Sequence, residues 1–355
     1  MTRKEFLQTV GGAAGFGIAS MALSPLSAAP PANIRRGVSF YSYQALYYSE
    51  QATLEDLIAE ASSIGAYGLE IIPDAMIPNY PNPSERFVAQ WHAWMEKYHT
   101  IPDSWCQSQD TVLVEGHPFS TAEGAERMTR DLACAHRLGF TNMRLLAATP
   151  LDVVEKCVPA AEKYGIAMNF EIHGPNRLDG PLVDAWLKLF QKVDSPSLGI
   201  NPDFSLFEKR PVAVRRDCAI RAGVLRPDIA RYIDQACADG VSRESAAAEV
   251  AKMGGAEQEV RYLYSRFDGY QDPRKLVPLL RYSHHIHGKC YELTEDCQES
   301  SIAYEEVIPL LIENGYKGYI ATEFEGQRFT LDAFEVDEME QVRRHQVLMK
   351  RLLPA

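Results

Sequence analysis

The sequence predicts a parallel (β/α)8 TIM barrel with a helical insertion after strand 6. After Asn33, eight short apolar runs alternate with helix-patterned segments, the order expected of a parallel sheet. Four of the runs end on a metal-ligand side chain: Asn169-Phe-Glu171-Ile-His173, Gly199-Ile-Asn-Pro-Asp203, His285-Ile-His287-Gly-Lys289 and Tyr319-Ile-Ala-Thr-Glu323. In a closed barrel such strand ends converge on one mouth, where the chemistry is built. The alternative, an open doubly wound sheet for a nucleotide, lacks a GxGxxG after the first run.

The elements follow in order. Gly37–Ser42 reads as strand 1, and Thr53-Leu-Glu-Asp56 as a capping box opening a helix to Ile64. Gly68–Ile72 is strand 2. Ser84 caps a helix through Tyr98, with Phe87, Trp91 and Trp94 recurring on one face. Ser104–Gln107 is a weak strand 3, and Thr121–Leu138 a helix stopped by Gly139. Asn142–Leu146 is strand 4, and Pro150–Tyr164 a helix stopped by Gly165. Ala167–Glu171 is strand 5, Pro181–Val193 a helix, and Leu198–Asn201 strand 6. Ser283–His287 is strand 7, Tyr304–Asn314 a helix, Gly318–Thr322 strand 8, and Val336–Leu353 the closing helix.

One stretch breaks the rhythm. Residues from about 207 to 282 exceed one crossover, and Pro227–Gly255 is Ala-rich and helical in pattern. It reads as an inserted helical excursion able to cover the mouth or meet a partner, or as a surface helix pair without a role. The domains are therefore 1–32, signal and linker, and 33–355, the barrel with its insertion.

Residues 1–32 read as an export signal. Arg3-Lys4 precedes Phe6-Leu7, a weakly apolar Gly/Ala run spans Val10 to Leu23, and Ser27-Ala28-Ala29 offers small residues for cleavage. The run is too short and glycine-rich for a stable membrane anchor. The Arg-Lys pair resembles a twin-arginine (Tat) signal, so the expected address is periplasmic or exported. An apolar N-terminal helix is the competing reading. The net charge of -12 argues against nucleic acid, because a polyanion is repelled over most of such a surface. Seven scattered cysteines with no CxxC give no disulfide framework, although Cys290 and Cys297 flank a loop and are placed to pair.

Hard oxygen ligands with one imidazole suit a divalent ion: manganese first, with magnesium, cobalt or zinc also compatible. A carboxylate such as Glu171 or Asp203 at a buried strand end is costly without a partner, and a metal supplies one. Of His284, His285 and His287, alternation puts the last two on one face. His287 is favoured as ligand, His285 as a supporting or core residue, and His284 as packed against the outer helices. Lys289 points into the same mouth, to bind a hydroxyl or stabilise an enolate, unless it is a surface lysine. Glu323 is the better ligand of the strand 8 acids. Glu325 and Arg328 either pair or contact substrate hydroxyls. His173 shares the face of Glu171 and is either a general base or a hydrogen-bond donor to a carboxylate. Tyr41, Tyr43, Gln44 and Glu70 are further pocket candidates, Tyr43 being taken as a substrate contact.

These segments resemble the xylose isomerase-like barrels, most clearly at Asn169–Gly174, Asn201–Phe204, His285–Lys289 and Gly318–Gly326. The resemblance covers nearly everything after Asn33. It implies a metal quartet of Glu171, Asp203, His287 and Glu323. Arg36–Gln44, Trp91–Tyr98, His287–Thr294, Glu323–Arg328 and Val342–Gln346 further resemble the α subunits of C-glycoside deglycosidases. That resemblance implies a lyase acting on 3-oxo-glycosides, whether C- or O-linked. A base removes the C2 proton, the metal stabilises the enolate, and the C1 substituent leaves. His173 is then the base and Lys289 helps hold the oxyanion, with Glu171 and Glu323 also in the catalytic set. It further implies a small partner subunit. The export signal is a departure, since those subunits are not expected to have one. Homo-oligomers are common among such barrels, which is analogy alone.

Two other classes compete. A metal-dependent sugar (ketose) isomerase or epimerase uses the same parts but returns the proton to a carbon. A non-catalytic sugar-binding barrel would be favoured by loss of a ligand, and none of the four is missing. A DNA-repair nuclease on this barrel would need more histidines and a basic groove.

Overall fold

The computed structural model describes residues 34–108, 113–114, 117–264, 270–329 and 336–353. The export signal read over 1–32 lies outside the described residues. Eight parallel strands form the barrel: β1 Arg35–Ser39, β2 Gly68–Ile71, β3 Ile101–Gln107, β4 Asn142–Leu145, β5 Ala167–Ile172, β6 Leu198–Pro202, β7 His285–Cys290 and β8 Tyr319–Phe324. Their order is β6-β5-β4-β3-β2-β1-β8-β7. Bridges Ile200–Ser283 and Asp203–His287 link β6 to β7 and complete the ring. This seam is the thinnest of the eight, and it is where the chain makes its long excursion.

Local chemistry sets the helices. Thr53 and Asp56 form a reciprocal capping box (3.2 and 2.9 Å), and Ser120 with Glu123 forms another, together satisfying N–H groups that a helix start leaves open. Gly165 ends the helix Leu151–Tyr164 at φ 65°, a left-handed position that suits glycine. The apolar helix faces close over the barrel. Trp186 of Pro181–Val193 stacks on Phe170 of β5, with centroids 4.5 Å apart at 3°. Both rings are fully buried. Trp186→Ala is therefore expected to destabilise the fold by about 3–5 kcal/mol, the usual range for a buried aromatic truncated to alanine. Denaturant unfolding of the variant checks this, and a loss under about 1 kcal/mol would refute it.

The helix Glu338–Leu352 anchors β8 rather than merely covering it. Thr322 Oγ1 and His345 Nδ1 lie 2.7 Å apart, and His345 Nε2 lies 2.7 Å from the Tyr304 hydroxyl, which donates to the Lys289 carbonyl. Gln346 reaches Thr322 Oγ1 and the Gly37 carbonyl and accepts from Arg36. Burial pushes the His345 imidazole down to about 3, so it stays neutral in this network. The strands carrying Lys289 and Glu323 are thus cross-tied from behind.

Strand ends differ from expectation in a consistent way. β7 and β8 run on to Cys290 and Phe324, so His287, Lys289 and Glu323 lie within the ladder. β3 starts at Ile101, because Asp103 is an inward-facing strand residue and not a loop acid. β1 stops at Ser39 and turns into a 3₁₀ helix over Phe40–Tyr43. Ser42 decides this: its hydroxyl donates to Thr322 O and accepts from Phe324 N.

Between β6 and β7 the described residues form four α-helices, Ala213–Arg221, Pro227–Ala238, Arg243–Lys252 and Glu257–Tyr264. Ile229, Ile233, Val250 and Val260 form a small core of their own. Arg221 donates to the Phe329 carbonyl (3.0 Å) in the segment after β8, which sets the excursion at the C-terminal mouth. Among the described residues no helix is long and apolar enough to cross a membrane. Cys290 and Cys297 are both free thiols, contrary to the pairing expected. The alternation that sends His287 and Lys289 inward turns Cys290 outward, into the core behind the strand.

Candidate metal centre and pocket

Inward alternation on five strands builds one buried polar column. β7 contributes His285, His287 and Lys289; β5 gives Glu171, β8 Glu323 and β2 Glu70, and Asp203 caps β6. Glu171, Asp203, His287 and Glu323 each bring a ligand atom within 4.8 Å of the others, and all four are buried. His287 Nδ1 lies 2.8 Å from Glu171 Oε1, 3.1 Å from Glu323 Oε2 and 3.7 Å from Asp203 Oδ2. Lys289 Nζ lies 2.6 Å from Glu323 Oε2 and 3.2 Å from Asp203 Oδ2. These are charge contacts without hydrogen-bond geometry, and both carboxylate oxygens lack a hydrogen-bond partner. Buried carboxylate oxygens that converge with no aligned hydrogen bond are what a divalent cation satisfies. The donor set therefore fits such an ion.

The charge balance points the same way. Asp103, Glu70, Glu171, Asp203, Glu323 and Glu325 are buried, against two buried permanent cations, Arg144 and Lys289. Glu171 is held below the usual carboxylate range: burial opposes this, but Arg144 and His287 outweigh it. Glu323 is held low likewise by His287 and Lys289, against burial. The imidazole of His287 and the ammonium of Lys289 are pushed up, burial again being outweighed by surrounding carboxylates.

A chain of contacts runs beneath the quartet. His287 Nε2 donates to Glu70 (3.0 Å to each oxygen), Glu70 lies 3.1 Å from His285 Nε2, and His285 Nδ1 lies 2.7 Å from Asp103. Asp103 accepts from Asn142 and Asn142 from Asn169. Burial opposes charge on His285, yet Asp103 and Glu70 push its imidazole up to about 9. With Nε2–H committed to Glu70, His287 presents Nδ1 to the quartet, the arrangement that orients a metal-binding histidine. Glu70, His285 and His287 also come within metal-holding distance of one another. Glu70 and His285 do not line the pocket, whereas Glu171 and Glu323 do.

Above the quartet opens a pocket of about 320 Å³, lined by Tyr41, Arg144, His173, Lys289, Tyr291, Glu325 and others. That size lies within the roughly 300–1,000 Å³ usual for small-molecule sites. A larger hollow of about 650 Å³ lies at the opposite, N-terminal end of the strands, bordered by Arg35, Arg281, Lys317 and His284. None of the quartet borders it, and it places His284 beside a basin rather than only against outer helices.

His173 Nδ1 lies 2.6 Å from the Gly174 carbonyl. A carbonyl only accepts, so the proton sits on Nδ1 and Nε2 carries the lone pair. Glu325 accepts from Tyr41 (3.3 Å) and Arg328 (2.8 Å) and lies 3.4 Å from Lys289. Glu325 and Arg328 thus both line the pocket and pair with each other. Tyr43 does not reach the site. It is fully buried in the hydrophobic core, and the tyrosine of this segment that lines the pocket is Tyr41. An extended chain would put 41 and 43 on one face, but the 3₁₀ turn, with three residues per turn, separates them. The sequence reading also missed Arg144, whose guanidinium lies 3.7 Å from Glu171. A cation two positions from Asn142 in an otherwise apolar strand was the available signal.

No family model matches the chain. It is 28% identical over 324 residues to the 3'-dehydrocarminate deglycosidase alpha subunit of a Microbacterium species, covering 85% of this chain and 92% of that protein. It is 26% identical over 326 residues to a C-glycoside deglycosidase alpha subunit of Arthrobacter globiformis, covering 86% and 88%. The chain is a relative of the C-glycoside deglycosidase alpha subunits. Solved structures agree on the fold. An L-ribulose 3-epimerase superposes with a TM-score of 0.55 at 12% identity, covering 90% of this chain and 94% of that one. A sugar phosphate isomerase/epimerase from Parabacteroides distasonis gives 0.54 at 13%, covering 95% and 99%. A 3-keto-D-glucoside 4-epimerase from E. coli gives 0.52 at 11%, covering 90% and 99%. The fold these neighbours share with the chain is the (β/α)8 barrel, as the alternation of strands and helices implied.

Proposed function

We propose that the chain is a metal-dependent lyase that cleaves 3-oxo-glycosides by removing the C2 proton and expelling the C1 substituent. The observation that carries this is the His173 Nε2 lone pair in one pocket with Glu171, Glu323 and the Lys289 ammonium. The deglycosidase names of the relatives support the substrate class. Glu171, Asp203, His287 and Glu323 would hold the divalent ion, manganese by preference. When bound, that ion would supply Lewis-acid stabilisation of the negative charge that develops at the C3 oxygen. His173 takes the C2 proton, which the ketone acidifies. Lys289 lends positive charge to the same oxyanion. Glu325 and Arg328 bind sugar hydroxyls at the rim.

Epimerisation is the second reading. It is favoured by two carboxylates, Glu171 and Glu323, that face one pocket from separate strands. Assay of the purified protein with manganese and a 3-oxo-glucoside separates the two. Release of the aglycone supports the lyase; interconversion of ketoses without release supports the epimerase. Glu171→Gln is expected to lose bound metal and at least about 100-fold in rate. Full activity in that variant removes the mechanism.

The relatives' designation as alpha subunits supports a small partner subunit, which affinity capture of the tagged chain from its own cells would reveal. The Arg3-Lys4 and Ser27–Ala29 pattern supports export. N-terminal sequencing of protein from a periplasmic fraction tests it, an intact Met1 there counting against cleavage.

A further inference from the structure

Beside the pocket stands a pair of buried acids that the mechanism above does not use. Glu208 follows the 3₁₀ turn Phe204–Phe207 after β6, is 3% exposed, and has one carboxyl oxygen without a hydrogen-bond partner. Its strand-like segment bridges to Ile302. Glu299 sits close by: its Oε2 accepts from Ser301 N (2.8 Å) and Ile302 N (2.6 Å), and its Oε1 has no partner. Burial pushes the Glu208 carboxyl up to about 8, opposed by a hydrogen bond from Tyr291 and reinforced by Glu299 and Asp203, with Arg215 opposing. Burial also pushes Glu299 up to about 7, opposed by its two backbone donors. Tyr291 is the link to the site. It follows β7, is 4% exposed, and lines the pocket with His173 and Lys289. Tyr291 therefore meets both a buried carboxyl and the substrate space. Of the other proton carriers there, Lys289 contacts Asp203 and Glu323, and the Tyr41 hydroxyl donates to Glu325.

We propose that Tyr291 delivers the proton taken up by the departing C1 substituent, and that Glu208 resupplies it from behind. This rests on the lyase reading. His173 takes the C2 proton, and the C2 electron pair forms the C1–C2 double bond. The C1 bond breaks with its electron pair going to the leaving atom, which takes the Tyr291 hydroxyl proton. Glu208 passes its proton to the phenolate oxygen and is reprotonated through water, to which His173 gives up the C2 proton. The sum is a 3-oxo-glycoside converted to an unsaturated 3-ketosugar and the protonated leaving group, with no redox change. Tyr291 is the donor that meets substrate, and Glu208 is a positioning and resupply residue.

The test compares the full manganese-loaded chain with Tyr291→Phe and Glu208→Gln on two substrates, methyl and 4-nitrophenyl 3-oxo-glucoside. Methoxide needs a proton to leave and nitrophenolate does not. Tyr291→Phe is expected to slow methanol release by about 100-fold or more, the usual worth of a general acid. Nitrophenol release should fall less than about tenfold, and exchange of the C2 hydrogen in D2O should persist. Retained nitrophenol turnover also shows that the variant folds. For the wild type on the methyl substrate, the rate should fall as pH rises past about 8, where Glu208 loses its proton. Glu208→Gln should be slower and lack that fall. Equal slowing of both leaving groups, or loss of C2 exchange together with release, overturns the relay. Wild-type protein that exchanges C2 but releases neither aglycone overturns the lyase reading itself.

Discussion

Replacing His173 with asparagine is expected to lower the rate of C2 proton removal by about 10²–10⁴-fold while leaving bound metal unchanged. The Nδ1–H of His173 is spent on the Gly174 carbonyl at 2.6 Å, so the function left to this pocket-lining ring is the Nε2 lone pair. Asparagine can keep a hydrogen bond to the carbonyl but has no basic nitrogen. Rate and metal content are therefore predicted to separate in this variant, as they should not in Glu171→Gln, which removes a proposed ligand. C2 deuterium exchange and elemental analysis on the same preparation check both halves. Normal exchange in His173→Asn would move the base elsewhere, and loss of metal would make His173 a ligand.

Glu70→Gln is expected to weaken metal binding by about 10–100-fold, the usual effect of removing a partner that orients a metal ligand. Glu70 touches no substrate space, being wholly buried beneath the quartet. It fixes His287 through contacts of 3.0 Å to Nε2, and it shares the charge of His285 with Asp103. Glutamine offers one acceptor oxygen where the carboxylate offers two, and no charge. Manganese titration by calorimetry or chelator competition reads the change directly, independent of turnover. Unaltered affinity would mean that β7 alone orients the imidazole.

The candidate quartet was legible because its four members stand in or at the end of apolar runs, where an acid or imidazole has no packing reason to be. The second layer was harder. Glu70, Asp103 and Arg144 look like ordinary strand or loop charges until the ring closes, because each finds its partner on another strand: His287, His285 and Glu171. Tyr43 failed for a local reason. Tyr41 and Tyr43 were both pocket candidates, but the Ser42 hydroxyl bonds to β8 and the backbone turns into a 3₁₀ helix, which leaves Tyr41 at the mouth and Tyr43 in the core. The excursion's own core is read more easily, since Ile229 and Ile233 recur at helical spacing within one short segment.

Periodicity, caps and the placement of acids at run ends are properties of short stretches, and by themselves they determined the eight units, the barrel and the four metal-ligand candidates. Which nitrogen of His287 faces the quartet, which tyrosine meets the pocket, and that Glu208 stands behind Tyr291 were decided only by the tertiary structure. Each depends on groups brought together across the ring: Glu70 with His287, Ser42 with Thr322 and Phe324, Glu208 with Tyr291. A hydrogen bond acts over about 3 Å, and no spacing along the chain reports which distant residue will supply its other end.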